Sequence, residues 1–355
     1  MSGGVDSSVA ALRLVDAGHE VIGVFMRNGV AAEATPSLGD GAGKNSAAKS
    51  CCSASDARDA ALVAERLGIP FFAVDYAAEF DAIIAQFADE YRRGRTPNPC
   101  VLCNQHLKFG HLLELADSVG ADAVATGHYA RVSEGRLLRA VDRDKDQSYY
   151  LFGIPRAALS RALVPLGESC KAEVRDAART AGLRTAAKPE SMEICFVTSG
   201  DYRDVVRERG GLGRPGRFID REGRELGTHG GIGGFTVGQR RGLPPLGEPH
   251  YVVGIDAAAG DVVLATLEGL DARLAQLAGL RWLVEPRREP FAASVRIRAR
   301  HEPAPALVTP QFASADAAEP QGLRIEFETA QRAITPGQAA VLHDGEQVLG
   351  GGWIV

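Results

Sequence analysis

Ser2-Gly3-Gly4-Val5-Asp6-Ser7-Ser8 runs straight into an apolar segment at residues 9–17. Two glycines, an aspartate and a set of serine hydroxyls lead into what reads as a helix. Such a turn presents backbone N–H groups to an anion at a helix N-terminus, so it is built to hold a phosphate chain. It is not the Walker loop, because no Gly-Lys-Ser/Thr follows. The alternative is a plain glycine-serine turn that starts a helix.

The neighbouring segments alternate helix and strand patterns. The first helix ends at Gly18, and residues 21–26 read as a buried strand. Residues 28–50 are rich in Ala, Gly and Ser and read as a long surface insertion. An amphipathic helix at 55–67 is closed by Gly68, and 69–74 is the next strand. Residues 77–93 form a helix with Phe80, Ile83, Ile84 and Phe87 on one face. After the turn Thr96-Pro97-Asn98-Pro99 comes a helix over 104–116 and a strand over 121–126. This is the alternation of a doubly wound parallel sheet, in which ligands sit at the carboxyl ends of strands. Ser2 to Ser8, Met26 and Gly127 all fall at such ends.

Beyond Tyr202 glycine and proline multiply and short strands dominate. Residues 251–255 and 261–265 flank a turn and predict a hairpin. Segments 293–300, 322–328, 339–342 and 347–353 alternate as strands do. The predicted organisation is an α/β domain over 1–202, a small β module over 203–270 and a β-barrel over 271–355.

The 355 residues exceed one small core. An apolar content of 45% and a charged content of 24% are those of an ordinary globular chain. No apolar run approaches the length of a membrane span. The start lacks the basic and apolar pattern of a secretory leader, which makes the cytoplasm the default. A net charge of −5 excludes a globally basic protein. Nucleic acid would have to be met by local patches. Candidates are Arg92, Arg93 and Arg95; the arginines from Arg203 to Arg217; Arg240 and Arg241; and Arg296, Arg298 and Arg300.

Six cysteines, at 51, 52, 100, 103, 170 and 195, are thiols, metal ligands or catalytic groups in a cytosolic setting. Cys103 follows the Pro-rich turn just before the 104–116 helix, where a thiol's pKa is lowered. Cys195 lies in a segment that begins Lys188-Pro189-Glu190. Burial as an inert thiol is the commoner fate of a cysteine, but both stand beside proline and polar turn residues, which argues for loops and chemistry. Cys51, Cys52 and Cys170 lack such a context and read as structural or incidental. Cys100 and Cys103 form Cys-x-x-Cys without a second pair, so a closed zinc site is not expected. Cys100, Cys103 and Cys195 together could hold an iron–sulfur cluster with one open iron. Asp6 inside a phosphate loop makes sense if Mg²⁺ bridges it to phosphate, or as an acid favoured by the helix dipole.

The opening loop has the SGGxDS form of the pyrophosphatase-loop (PP-loop) enzymes, which split ATP into AMP and pyrophosphate. Taken with seven further stretches, the chain resembles the bacterial tRNA-specific 2-thiouridylase (MnmA) family. The matching stretches are SGGVDSSVAA (2–11), GVFMRN (23–28), GRTPNPCVLCNQHLKFG (94–110), ATGHYARV (125–132), KDQSYYL (145–151), KPESMEICFV (188–197), FTVGQRRGL (235–243) and ITPGQAAVLHDGE (334–346). They run in order along essentially the whole chain.

The resemblance implies an adenine nucleotide alpha hydrolase-like PP-loop domain and sulfur transfer to C2 of the wobble uridine of tRNA. Ser2, Gly3, Gly4, Val5, Asp6, Ser7, Ser8, Met26 and Gly127 would hold ATP. Asn98, Pro99 and Cys100 would line the pocket for the target base. Lys145, Asp146 and Gln147 would touch the tRNA, with His128, Arg298 and Gln338 near it. Cys195 would carry sulfur as a persulfide, supplied by a cysteine desulfurase or a sulfur relay protein. Cys103 would be the nucleophile that releases it, leaving a Cys103–Cys195 disulfide to be reduced.

Two departures stand out. Some members have aspartate where this chain has Cys100, which removes any acid/base role for that residue. Members also carry a short apolar run before the position of Met1, forming a central first strand. At about 1.5–3 kcal/mol per buried large side chain, losing that strand would remove about 10 kcal/mol, as much as a domain's net stability. The natural protein is therefore expected to start upstream, and an intact mass from its native cell ending at Met1 would refute this. Two other readings remain. One is another PP-loop ligase, such as an amidating enzyme, with no use for Cys103 and Cys195. The other is a non-catalytic tRNA-binding protein, if the short start is real.

Overall fold

The computed structural model describes residues 1–29, 54–190, 194–197 and 200–355. The insertion expected at 28–50 lies, from residue 30 onward, outside the described residues, as do Cys51 and Cys52.

Helix α1 (Val5–Asp16) starts after Gly3, whose φ of +70° suits glycine, and ends before Gly18 at φ +83°. Val5, Val9 and Ala10 form one buried face, packed against a cluster with Tyr129, Leu166 and Val174. Strand β1 (Gly23–Arg27), helix α2 (Ala54–Leu67), strand β2 (Phe71–Asp75) and helix α3 (Ala77–Arg92) follow. β1 and β2 pair in parallel. The face expected on α3, Phe80, Ile83, Ile84 and Phe87, is buried.

The helix expected over 104–116 starts earlier. Helix α4 (Pro99–Leu102) passes into a π-helix at Cys103–His111 and then α5 (Leu112–Ser118). Pro99 sits at the first helical position, where its missing N–H would be unsatisfied in any case. The proline that suggested a loop therefore opens the helix. The strand expected over 121–126 shrinks to β3 (Val124–Ala125). The Arg161 guanidinium donates to the carbonyls of Ala121 and Asp122, so a side chain takes the acceptors a strand would use.

A hairpin, β4 (Ala130–Ser133) and β5 (Arg136–Arg139), follows β3. Strand β6 (Ala162–Leu163) then pairs in parallel with β3, and helices α6 (Lys171–Thr180) and α7 (Tyr202–Glu208) complete this part. The parallel strands thus form two separate pairs, β1–β2 and β3–β6.

The middle β part is a four-stranded sheet of β7 (Gly216–Ile219), β8 (Glu225–His229), β9 (Tyr251–Asp256) and β10 (Asp261–Ala265). It contains the expected β9–β10 hairpin. The last part has six strands: β11 (Asp271–Trp282), β12 (Phe291–Arg296), β13 (Ala304–Gln311), β14 (Gly322–Arg332), β15 (Ala339–Asp344) and β16 (Gln347–Ile354). They run in the order β11-β14-β13-β12-β15-β16, and β11 pairs with β16 to close the barrel. β13 was hidden in the sequence by Pro305 and Pro310, residues that read against a central strand. β5 adds to the outside of β16 through the Gln347–Leu138 pairing. A shared core joins Val101, Phe109, Tyr149 and Phe152 of the first domain to Ala339, Val341 and Val348 of the barrel.

Candidate active site

The phosphate loop is shaped by backbone approach. A Cβ on Gly3 would lie 2.2 Å from the Asp56 carbonyl oxygen, and a Cβ on Gly127 would lie 2.7 Å from Ser7 N and from the Asp6 carbonyl carbon. Gly127 is therefore flush against the loop, as its place after β3 predicted. Gly4 caps α1 without a side-chain hydrogen bond, which leaves the first N–H groups of the helix available to an anion. The Ser2 and Ser7 hydroxyls lie 3.2 Å apart at the mouth. Val5 and Ser8 are buried, and the Ser8 hydroxyl donates to Gly4 O at 2.8 Å. These two can offer only backbone atoms to a ligand.

Asp6 departs from the expectation of an open Mg²⁺ ligand. Lys171 Nζ donates to both its carboxylate oxygens, at 2.7 and 2.8 Å, and the Tyr129 hydroxyl donates at 2.9 Å. A resident cation does not fit a carboxylate already paired in this way. Lys171 also faces Glu190 at 3.4 Å, and Lys145 donates to Glu190 at 2.8 Å. Lys188 Nζ donates to Gly3 O, Asp56 and Asp59. Burial works against the Lys188 charge, but the two aspartates outweigh it and hold the ammonium above its usual value. Burial likewise opposes ionisation of Glu190, yet Lys145 and Lys171 hold its carboxyl below the usual range.

Lys171, Lys188 and Glu190, which the structure sets around the phosphate loop, were not singled out in the sequence. Lys188 and Glu190 border a proline in a segment already singled out. Lys171 carries no local signal, since it meets Asp6 across 165 positions.

Cys103 and Cys195 come together in one region. Both pack, with Met26, on a single apolar core built from Phe80, Phe87, Leu102 and Phe196. Both are half-buried. Cys103 is not before a helix, as expected, but one turn inside the helical run that Pro99 opens. The cluster reading does not fit: among the described residues no group of three His, Cys, Asp or Glu side chains is placed to hold a metal. Cys170 caps α6, and its N–H donates to Glu173 at 2.9 Å.

The residues assigned to the base and the RNA divide. Asn98 and Pro99 are buried at the start of α4, with the Asn98 side chain bonded to Tyr149. Cys100 is half-buried beside Tyr150. His128 is buried, with Nδ1 2.8 Å from the Thr126 hydroxyl and Nε2 3.3 Å from Lys108 Nζ. Burial, reinforced by Lys108, pushes its pKa well below the usual value, so the ring is neutral. Nε2 then accepts from the ammonium and Nδ1–H donates to Thr126.

The Asp146 side chain turns inward, so any RNA contact here falls to its backbone atoms. Its side chain is fully enclosed and accepts from Ala140 N, Ser148 N, the Ser148 hydroxyl and Arg296. Burial alone would raise its pKa, but these donors hold it below the usual range. Gln147 accepts from Tyr129 N at 3.0 Å. Lys145 stays partly exposed. From the barrel, Gln338 Nε2 donates to Thr96 O and Pro97 O, at 3.1 and 3.3 Å. Arg298 is exposed and donates to Arg332 O.

A phosphate-binding α/β domain carrying two cysteines on one core, joined to two β modules, defines a nucleotide-using enzyme of the HUP class. Family models match along the chain: a tRNA methyl transferase HUP domain at residues 1–199, a tRNA methyl transferase PRC-barrel domain at 203–266 and an aminomethyltransferase β-barrel domain at 274–354. The protein belongs to the tRNA-specific 2-thiouridylase (MnmA) family. It is 44% identical over 384 residues to the tRNA-specific 2-thiouridylase MnmA of Rhodopirellula baltica, covering 100% of this chain and 94% of that one. It is 46% identical to the Sorangium cellulosum enzyme of that name, covering 100% and 90%, and 45% identical to that of Chloroflexus aurantiacus, covering 100% and 96%. Among the described residues no helix is long and apolar enough to cross a membrane.

Proposed function

We propose that this protein transfers sulfur to C2 of the wobble uridine of tRNA in the cytoplasm, splitting ATP into AMP and pyrophosphate. The observation that carries the reading is the packing of Cys103, Cys195 and Met26 on one core, in a domain whose phosphate loop is braced by Gly127. The family models' descriptions speak of methyl transfer, but an ATP loop and two gathered thiols are the parts that sulfur transfer uses.

The chemistry follows from the leaving group. Oxygen on C2 of uracil leaves poorly, so O2 attacks the α-phosphorus of ATP. The O2–P bond forms, the Pα–O bond breaks, and its electron pair departs with pyrophosphate. The N–H groups at the α1 N-terminus would meet the charge that develops there. A persulfide on Cys195, loaded by a cysteine desulfurase or a relay protein, then supplies sulfur. Its terminal sulfur, or sulfide freed from it by Cys103, attacks C2, and the C2–O bond breaks with loss of AMP. Cys103 attacks the Cys195 sulfur, so the outer sulfur keeps the S–S electron pair. The Cys103–Cys195 disulfide that results needs two electrons from a thiol reductant. The target base must leave the anticodon stack, at a cost of a few kcal/mol. Asn98, Pro99 and Cys100, fixed at the start of α4, supply its pocket, while Lys145 and Arg298 serve the RNA backbone.

The test supplies the protein with MgATP, a persulfide donor and unmodified tRNA, and measures 2-thiouridine by mass spectrometry. Cys195→Ser and Cys103→Ser are expected to abolish the product. Undiminished product from either would overturn the mechanism.

A further inference from the structure

The Cys-x-x-Cys pair has no task as a pair in the reaction above, which uses only the Cys103 thiol of the two. Cys100 and Cys103 both lie in the helical run that Pro99 opens, three positions apart. Residues so spaced share one helix face. On a regular helix their Cα atoms stand about 5 Å apart, inside the range that a disulfide spans.

The local turn draws them closer than a regular helix does. The Cys103 N–H donates both to Pro99 O and to Cys100 O. The second of these is an i→i−3 bond, which tightens the turn toward 3₁₀ geometry, where side chains at i and i+3 eclipse. The first N–H groups of a helix have no partners within it, which leaves this turn room to adjust. Cys100, Cys103 and Cys195 are all reduced and all half-buried. Cys103 and Cys195 pack on the apolar core of Phe80, Phe87 and Phe196, while Cys100 lies beside Tyr150.

A disulfide between Cys103 and Cys195 occupies Cys195, so no further sulfur can be loaded until that bond is broken. A third thiol stands one helical turn from Cys103, and it can reach that sulfur without movement of the segment that carries Cys195. We propose that Cys100 is a resolving thiol that frees Cys195 for its next load of sulfur. This rests on the sulfur-transfer reading above. The Cys100 thiolate attacks the Cys103 sulfur. The Cys100–Cys103 bond forms, the Cys103–Cys195 bond breaks, and the electron pair leaves on the Cys195 sulfur, which takes up the proton that Cys100 gave. This step involves no net oxidation. A dithiol reductant then supplies two electrons and two protons to the Cys100–Cys103 bond and itself becomes a disulfide. Cys195 can thus accept sulfur while the oxidised pair still waits for reductant.

The test is a single turnover of the full chain, its persulfide loaded beforehand by a cysteine desulfurase, with MgATP, unmodified tRNA and no added reductant. The mixture is quenched in acid, alkylated and digested with trypsin without reduction. Residues 96–108 are released as one peptide that holds both thiols, so their bond reads as the loss of two hydrogens in place of two alkyl groups. The Cys100–Cys103 bond is expected in about tenfold excess over Cys103–Cys195, with Cys195 alkylated. Cys100→Ser is expected to collect Cys103–Cys195 instead, for each 2-thiouridine made. Cys103–Cys195 as the main bond in the wild-type chain overturns the proposal, and this arm needs no altered protein. A second arm omits ATP and tRNA and equilibrates the reduced full chain with glutathione redox buffers. Cys100–Cys103 is expected to form at a more reducing poise than Cys103–Cys195; the reverse order overturns the resolving thiol. 2-Thiouridine made with all three cysteines alkylated overturns the disulfide step and the proposal with it. Absence of 2-thiouridine overturns the sulfur-transfer reading and the proposal together, whereas 2-thiouridine with a lasting Cys103–Cys195 bond overturns the proposal alone.

Discussion

Gly127 shows how much a single atom decides at the phosphate loop. A methyl group there would press on backbone atoms of Asp6 and Ser7 rather than on a yielding side chain. Gly127→Ala is expected to displace the loop and lower kcat/KM for ATP about 10–100-fold, the effect of a misplacement near 1 Å. tRNA-dependent ATP–pyrophosphate exchange measures it, and an unchanged value would show that the turn and the loop act independently. The glycines were legible in the sequence because only a few residue types permit such an approach. The partner of Asp6 was not. A carboxylate among phosphate-binding residues suggests a metal, whereas Lys171, far away in sequence, occupies it directly.

At the scale of elements, the helical run from Pro99 to Ser118 holds residues proposed for the chemistry. It places Asn98 and Pro99 at its start and Cys103 one turn inside. The sequence suggested a loop here because proline ends helices more often than it opens them, and position decides which. The turn before the run is held from outside by Gln338. Gln338→Ala removes both bonds and should lower stability by about 1–2 kcal/mol. It should also raise KM for tRNA while leaving KM for ATP unchanged, because the loosened turn bears on the base pocket and not on the phosphate loop. Steady-state kinetics with each substrate varied in turn reads this; equal rises in both constants would argue against it.

Across the whole molecule, the first domain and the barrel share one buried electrostatic centre. Asp146 meets Arg296 at 2.7 Å, with side-chain exposures of 0% and 5%. Asp146→Ala strands that arginine and should cost about 3–5 kcal/mol, measured by denaturant unfolding. The Asp146 carboxyl lies below its usual 3.8 when folded. Its contribution is therefore complete above that pH and is lost as pH falls through the folded value.

His343 lies against the same group, and neither ring nitrogen has a hydrogen-bond partner among the described residues. Burial, reinforced by Arg139, pushes its pKa from 6.5 down to about 4. Across that interval the unfolded chain takes up a proton that the folded chain refuses, so stability falls with falling pH, by about 3 kcal/mol in full. His343→Leu should flatten this part of the profile; an unchanged slope would place the effect elsewhere.

By itself the sequence determined what depends on local residue type. The phosphate loop rests on glycine freedom and helix-end N–H groups, the α3 face and the β9–β10 hairpin on periodicity, and the cysteine pair on the segments around it. Only the tertiary structure decided which charges meet. It placed Lys171 on Asp6, buried Asp146 under Arg296, shortened β3 through Arg161, and brought the barrel's Gln338 onto the turn before α4. These contacts join residues far apart in the chain. Their energies depend on burial and distance, which no local pattern of residue types encodes.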